Sequence, residues 1–218
     1  MIFLQGGAEF TGPCRVLDAP MVERATGGKV VVLPAAAAPG REYDVAGANG
    51  VRHLTGLGAS DVTVAPDPRN DEVAAVTAVQ GARLLVLPGG SPRRLRQALH
   101  RTALGAALRS VLDQGAEVMG ASAGAMVLCE WMVLPERAQP RVVAGLGLVA
   151  NTLVVPHWRR GLQGWAHLAP AGVIVLGLPE CAGVLVGGKT DVAGPRITPV
   201  GDPPPWIQTD GRWQLLRA

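Results

Sequence analysis

Short apolar runs recur along the chain at Ile2–Leu4, Val30–Leu33, Val62–Ala65, Arg83–Leu87, Glu117–Met119, Leu153–Val155, Val173–Leu176 and Val184–Val186. They are rich in Val, Leu and Ile and lack the strict alternation of a half-solvated strand. They therefore predict strands of a sheet covered on both faces. Longer segments compatible with helix lie between them: Arg41–Leu57, Asp71–Val79, Arg93–Gln114 and Ala123–Met132. Strand and helix taking turns predicts an α/β fold with a mostly parallel central sheet. From Lys189 the pattern changes. Asp202-Pro-Pro-Pro-Trp206 reads as a stiff connector, and the segments starting at Trp206 and Trp213 read as a closing hairpin around Asp210-Gly211. No repeat, low-complexity stretch or domain boundary interrupts this order. The reading is one α/β hydrolytic domain over residues 1–218, with 189–218 a C-terminal β extension.

Composition narrows the class. At 218 residues and 48% hydrophobic, the chain suffices for one well-buried core. Charged residues at 17% give no disorder signature, and no apolar run is long enough to span a bilayer. No basic segment followed by an apolar run opens the chain, so no signal peptide is read. Cys14, Cys129 and Cys181 fit no zinc or redox spacing, and reduced thiols in a cytoplasmic protein are the expectation. The net charge of +3 is carried almost wholly by Arg, with Lys29 and Lys189 the two lysines. Its one cluster, Arg93, Arg94 and Arg96 with Arg101 beyond, reads as a solvated helix face. Aromatic residues are too few and scattered to stack nucleic-acid bases. Neither a nucleic-acid nor a membrane partner is expected.

Chemistry concentrates at Gly120-Ala121-Ser122-Ala123-Gly124. This G-x-S-x-G pattern follows a predicted strand and opens a predicted helix, the context in which such a serine serves as a nucleophile. Small neighbours let the strained turn close, and the following helix points its positive end at the serine. The Ala123 N–H is placed to donate to an oxyanion. A second glycine-rich turn, Pro88-Gly89-Gly90-Ser91-Pro92, also ends a strand before a helix, and its amides are the natural second half of an oxyanion hole. A plain strand-to-helix loop with Pro92 as the first helical residue explains the same residues without chemistry.

A serine needs a base, and the base needs an acceptor to fix its tautomer. Of His53, His100, His157 and His167, only His157 follows a strand at the end where α/β folds assemble their sites. His167, in the helical segment beyond, is the weaker choice. Glu180, after the strand Val173–Leu176, is the candidate acid, with Glu136 and Glu130 as rivals. The order Ser, His, acid differs from the Ser, acid, His order of α/β-hydrolases and points to another α/β architecture.

These residues resemble peptidase family S51, which includes dipeptidase E and cyanophycinase. The resemblance is carried by Pro88-Gly89-Gly90-Ser91, Gly120–Ala125, Gly145-Leu-Gly-Leu148 leading to Val155-Pro-His157-Trp158, and Gly177-Leu-Pro-Glu180, in that order. Gln5-Gly-Gly-Ala-Glu-Phe10 resembles the glycine turn after the family's first strand. Together they span residues 2 to 187.

The resemblance implies a class I glutamine amidotransferase-like fold, a flavodoxin-like three-layer sandwich. It implies Ser122 as nucleophile, His157 as base, Glu180 as acid with Glu136 the other placement, and Gly90 and Ala123 amides as the oxyanion hole. It implies substrate binding at Gly89 and Ser91, with Arg159 and Arg160 available for an acidic substrate, no metal or organic cofactor, and a monomer or homodimer. The activity implied is serine-type cleavage of short peptides or isopeptides, with Asp as the recognised residue. Ser91-Pro92 departs from the polar pair found there in cyanophycinases and in dipeptidase E. Glutamine amidotransfer would need cysteine where Ser122 stands. A non-catalytic or regulatory relative is the alternative reading.

Overall fold

The computed structural model describes residues 1–136, 139–159, 162–191, 194–209 and 211–217. The first half alternates strand and helix as the pattern predicts. β1 (Ile2–Gln5) leads through a 3-10 turn to α1 (Arg15–Arg24), followed by β2 (Lys29–Val32), α2 (Arg41–Gly56), β3 (Asp61–Val64) and α3 (Glu72–Val79). β4 (Ala82–Leu87), α4 (Pro92–Leu99), α5 (Ala103–Asp113), β5 (Glu117–Ala121) and α6 (Ala123–Leu128) complete that half. The second half is mostly strand: β6 (Cys129–Leu134), β7 (Arg141–Ala144), β8 (Val149–Val155), a 3-10 segment at Leu162–Leu168, β9 (Ile174–Gly177), β10 (Ala182–Asp191), β11 (Gly194–Gly201), β12 (Trp206–Thr209) and β13 (Arg212–Leu215).

Two sheets result. The larger has the order β11-β10-β1-β5-β4-β2-β3, and its five strands from β1 to β3 are mutually parallel. The smaller has the order β13-β12-β9-β8-β6-β7, parallel through β6, β8 and β9 and antiparallel at both ends. The fold is α/β, with a larger sheet parallel through five of its seven strands and a smaller mixed sheet.

The inner strands bury both faces, which is why their sequences run as continuous Val and Leu. Successive side chains go to opposite sides. Phe3, Val30, Val32, Leu84 and Met119 pack with Met21 and Leu54 on one face. Leu4, Val31, Leu85 and Val118 pack with Leu95, Leu99, Leu104 and Leu108 on the other. Among the described residues, no helix is long and apolar enough to cross a membrane.

Two helical expectations are corrected. Residues 93–114 form two helices, because Thr102 Oγ1 accepts the Gly105 N–H at 3.1 Å and starts α5 afresh. A Cβ at Gly105 would overlap the Leu99 carbonyl oxygen, so only glycine allows the helices this close. The helix expected to reach Met132 stops at Leu128, and Cys129–Leu134 becomes a strand between β7 and β8. A buried, uniformly apolar run carries no periodicity to separate helix from strand.

Candidate active site

Ser122 sits at the β5–α6 junction with φ 50° and ψ −108°. This is a left-handed backbone that a side-chain-bearing residue holds only when its surroundings fix it. Here they do. Its N–H donates to the Gln5 carbonyl at 2.9 Å, and its own carbonyl accepts the Met126 N–H at 3.0 Å. The small Gly124 lets α6 pack onto β4, since a Cβ there would overlap the Leu87 carbonyl.

His157 lies two residues past β8 and also has a positive φ, 51°. Its Nε2 is 2.9 Å from Ser122 Oγ, and its Nδ1 is 2.9 Å from Glu180 Oε1. Glu180 follows β9, and Cys181 beside it has φ 53°. The His157 and Glu180 side chains remain 47% and 61% exposed, so the arrangement is an open one that a bound substrate would cover.

One short segment ties the three parts together. The carbonyls of consecutive residues Gln5, Gly6 and Gly7 accept the amides of Ser122 (2.9 Å), His157 (2.9 Å) and Cys181 (3.2 Å). The turn after β1 thus brackets the serine, the imidazole and the glutamate segment through backbone alone. The sequence signal was Gln5-Gly-Gly, legible as a turn but not as the element that sets the geometry.

The glycine turn faces the same point. Gly89 N–H donates to Glu9 Oε1 at 2.6 Å and Ser91 N–H to the Ala36 carbonyl at 2.9 Å. Gly90, between them, has φ 134°, and a Cβ on it would stand 2.8 Å from the Ala36 carbonyl oxygen. Ala123 is the first residue of α6, where amides have no acceptor inside the helix. Both residues border one cavity with Ser122 and His157. Glu9, which anchors Gly89, was not singled out from the sequence. Ser91 is not among the residues lining that cavity, and its Oγ accepts the Arg94 N–H at 3.3 Å and caps α4.

The rival acids lie elsewhere. Glu136 Oε1 accepts from Arg93 and Arg141, each at 2.9 Å. Glu130 Oε2 accepts the Asn151 N–H at 2.7 Å. Arg159 is exposed just past His157. Arg160 lies outside the described residues. Cys129 is buried at the start of β6, and its thiol donates to the Ala125 carbonyl at 3.4 Å.

The other histidines are accounted for by packing. His100 Nδ1 lies 3.0 Å from the Gly145 carbonyl, and His167 is exposed. His53 is buried, with Nε2 2.8 Å from Asp18 Oδ2. Burial pushes the Asp18 carboxyl above its usual range despite the opposing bond and charge of His53. Among the described residues, no hydroxyl or thiol hydrogen-bonds His53, so this second histidine–carboxylate pair has no nucleophile. Nor do the described residues gather three or more His, Cys, Asp or Glu as a metal would need. A separate cleft of about 580 Å³ around His100 and Arg109 is lined by neither Ser122, His157 nor Glu180.

Fold and junction define an α/β protein with serine at a strand-to-helix elbow, consistent with a class I glutamine amidotransferase-like fold. The chain belongs to peptidase family S51, whose family model matches residues 2–170. Among solved structures it is similar to a peptidase from an acI-B1 Actinobacterium, with a TM-score of 0.80 and 24% identity over 100% of this chain and 93% of that one. It is also similar to a Listeria monocytogenes EGD-e protein assigned as peptidase E, with a TM-score of 0.66 and 16% identity over 92% of this chain and 97% of that one. At these identities the likeness is one of fold. No functionally curated protein matches the sequence.

Proposed function

We propose that the protein is a serine peptidase of short peptides or isopeptides, with Ser122 as nucleophile, His157 as general base and Glu180 as the acid that orients it. The observation carrying this is the continuous hydrogen-bond line from Ser122 Oγ through both ring nitrogens of His157 to Glu180, each link 2.9 Å. A hydroxyl, a base and an orienting carboxylate in series are the requirement for nucleophilic acyl transfer.

The chemistry follows from the placement. Ser122 Oγ attacks the scissile carbonyl as His157 Nε2 takes its proton. Glu180 keeps Nδ1 protonated and stabilises the imidazolium. The carbonyl oxygen gains negative charge and is received by the Gly90 and Ala123 amides. A donor of this kind contributes about 100-fold to 1,000-fold in kcat. His157 then gives the proton to the leaving amine. The acyl group stays esterified to Ser122 until water, activated by the same imidazole, releases it. The strained backbones of Ser122 and His157 support the reading, because strain of this kind collects where geometry serves chemistry.

The test is labelling with a fluorophosphonate, which phosphonylates activated serines with loss of fluoride, together with hydrolysis of a short-peptide panel. A single adduct on Ser122, and hydrolysis lost in Ser122→Ala, is the expected outcome. A folded wild type that neither labels nor hydrolyses would favour the non-catalytic alternative.

A further inference from the structure

A cavity of about 320 Å³ opens beside Ser122. Gly90, Ala123, Ser122 and His157 are among its lining residues. The rest of the lining is apolar: Pro92, Met126, Pro135, Val155, Pro156 and Trp165. Among the described residues, no lysine, arginine or acid lines it. Arg93, next to Pro92, donates to Glu136 Oε1, as does Arg141, and Arg159, two residues past His157, is exposed and not among the lining residues. A carboxylate placed in this space would lose hydration without gaining an opposite charge from the lining. An aliphatic or aromatic side chain would instead be stabilised by its withdrawal from water.

Position indicates which side chain enters. A carbonyl carbon bonded to Ser122 Oγ, with its oxygen toward Gly90 and Ala123, lies against the cavity that these residues line. The leaving amine departs past Nε2 of His157. The acyl residue's own side chain is then left with the cavity that Met126 and Trp165 also line. We propose that this cavity is the subsite for the residue whose carbonyl Ser122 attacks, and that it selects a Leu- to Phe-sized apolar side chain over aspartate. The proposal rests on the nucleophile assignment above and departs from the Asp preference that family resemblance implies. Trp165, half-buried on the 3-10 segment, is the largest side chain that lines the cavity, and its removal would enlarge the space most.

The experiment measures protection of Ser122 from fluorophosphonate labelling by the aminoboronic acid analogues of Ala, Leu, Phe and Asp. Boron forms a bond to the serine oxygen and presents only the acyl-side group, so no leaving group confuses the comparison. The Leu and Phe analogues are expected to protect at concentrations at least about ten-fold below the Asp analogue. Trp165→Ala is expected to weaken protection by the Phe analogue about ten-fold and to leave the Ala analogue nearly unchanged. Protection favouring Asp, equal protection by all four, or labelling that none prevents would overturn the subsite while leaving the nucleophile in place. No labelling of wild type would remove the nucleophile assignment, and the subsite with it.

Discussion

Gly7 lies against the imidazole of His157 so closely that a Cβ on it would overlap Cε1 and stand 2.7 Å from Nδ1. The Gly7 backbone, at φ 133°, is also one that side-chain-bearing residues rarely adopt. Gly7→Ala is therefore expected to push the ring away from Ser122 and Glu180. A displacement of about an ångström costs about 100-fold in rate, and the loss should appear in kcat more than in KM. Gly12→Ala is the control, because a Cβ there meets nothing within 4 Å. Equal activity of the two variants on a hydrolysed peptide would mean that the ring is not held by Gly7.

The identity of the acid is open to a direct comparison. Glu180 contacts Nδ1 of His157, whereas Glu136 is engaged by Arg93 and Arg141. Glu180→Gln is expected to lower kcat by about 100-fold to 10,000-fold, because the amide no longer enforces the tautomer or stabilises the imidazolium. Glu136→Gln should change kcat little and reduce stability by at most about 1 kcal/mol, since its partners are exposed. The two assays, steady-state rate and thermal melting, separate the roles. A reversal of the two rate effects would move the acid to Glu136.

Much of this was legible in the sequence, and the residues show why. Continuous Val and Leu runs mark buried parallel strands whatever their partners, so β1, β2, β4 and β5 are found by composition alone. Gly-x-Ser-x-Gly after a strand and His157 after another mark two candidate site residues by local pattern. Glu180 is separated from its rivals only by three-dimensional contact. The bracket formed by the Gln5, Gly6 and Gly7 carbonyls was not legible, because backbone hydrogen bonds leave no side-chain signature. The split at Thr102 was missed because an arginine-rich stretch with helical spacing covers it, although a threonine cap was present to be read.

The C-terminal hairpin packs against the residue that follows His157. Trp213 on β13 lies 4.2 Å, centroid to centroid, from Trp158, the buried residue after His157. Gly177 permits this, since a Cβ there would be 2.5 Å from the Trp158 ring. Trp213→Ala is expected to destabilise the fold by about 1 to 3 kcal/mol, from lost area and the aromatic pair. Activity should fall at temperatures well below the melting transition, because the segment bearing His157 loses its support. Chemical denaturation and rate measured on one preparation test both halves.

The three thiols differ in reach. Cys14 and Cys129 are buried and Cys181 is partly exposed. Burial pushes the Cys14 thiol up to about 12, and its 3.3 Å contact with Cys181 pushes the same way. Thiolates are the reacting species. Iodoacetamide at mildly alkaline pH is therefore expected to modify Cys181 first, with Cys14 and Cys129 modified only on unfolding. Mass spectrometry of digests over time gives the order, and early modification of Cys14 would contradict the placement.

Stability should carry an acid-side signature from the loop behind the glycine turn. Arg69 holds Asp67 with Nε at 2.7 Å from Oδ1 and Nη2 at 2.8 Å from Oδ2, and its Nη1 donates to the Ala37 carbonyl at 2.9 Å. The preceding carbonyl, of Ala36, receives Ser91 N–H and Arg94 Nε, so the clamp also backs Gly90. Burial raises the Asp67 carboxyl, but the Arg69 bonds and charge outweigh it and hold the group below the usual carboxylate range. A folded value below the unfolded one means that the unfolded chain binds more protons, so stability rises with pH through this window. The contribution is present above the unfolded carboxyl value of about 3.9 and is lost as pH falls through the folded value. Asp67→Asn is expected to reduce unfolding free energy by about 1 kcal/mol at neutral pH and to converge with wild type in strong acid. Urea titrations of both proteins across that range read the difference, and a gap that persists unchanged into strong acid would assign the loss to packing instead of charge.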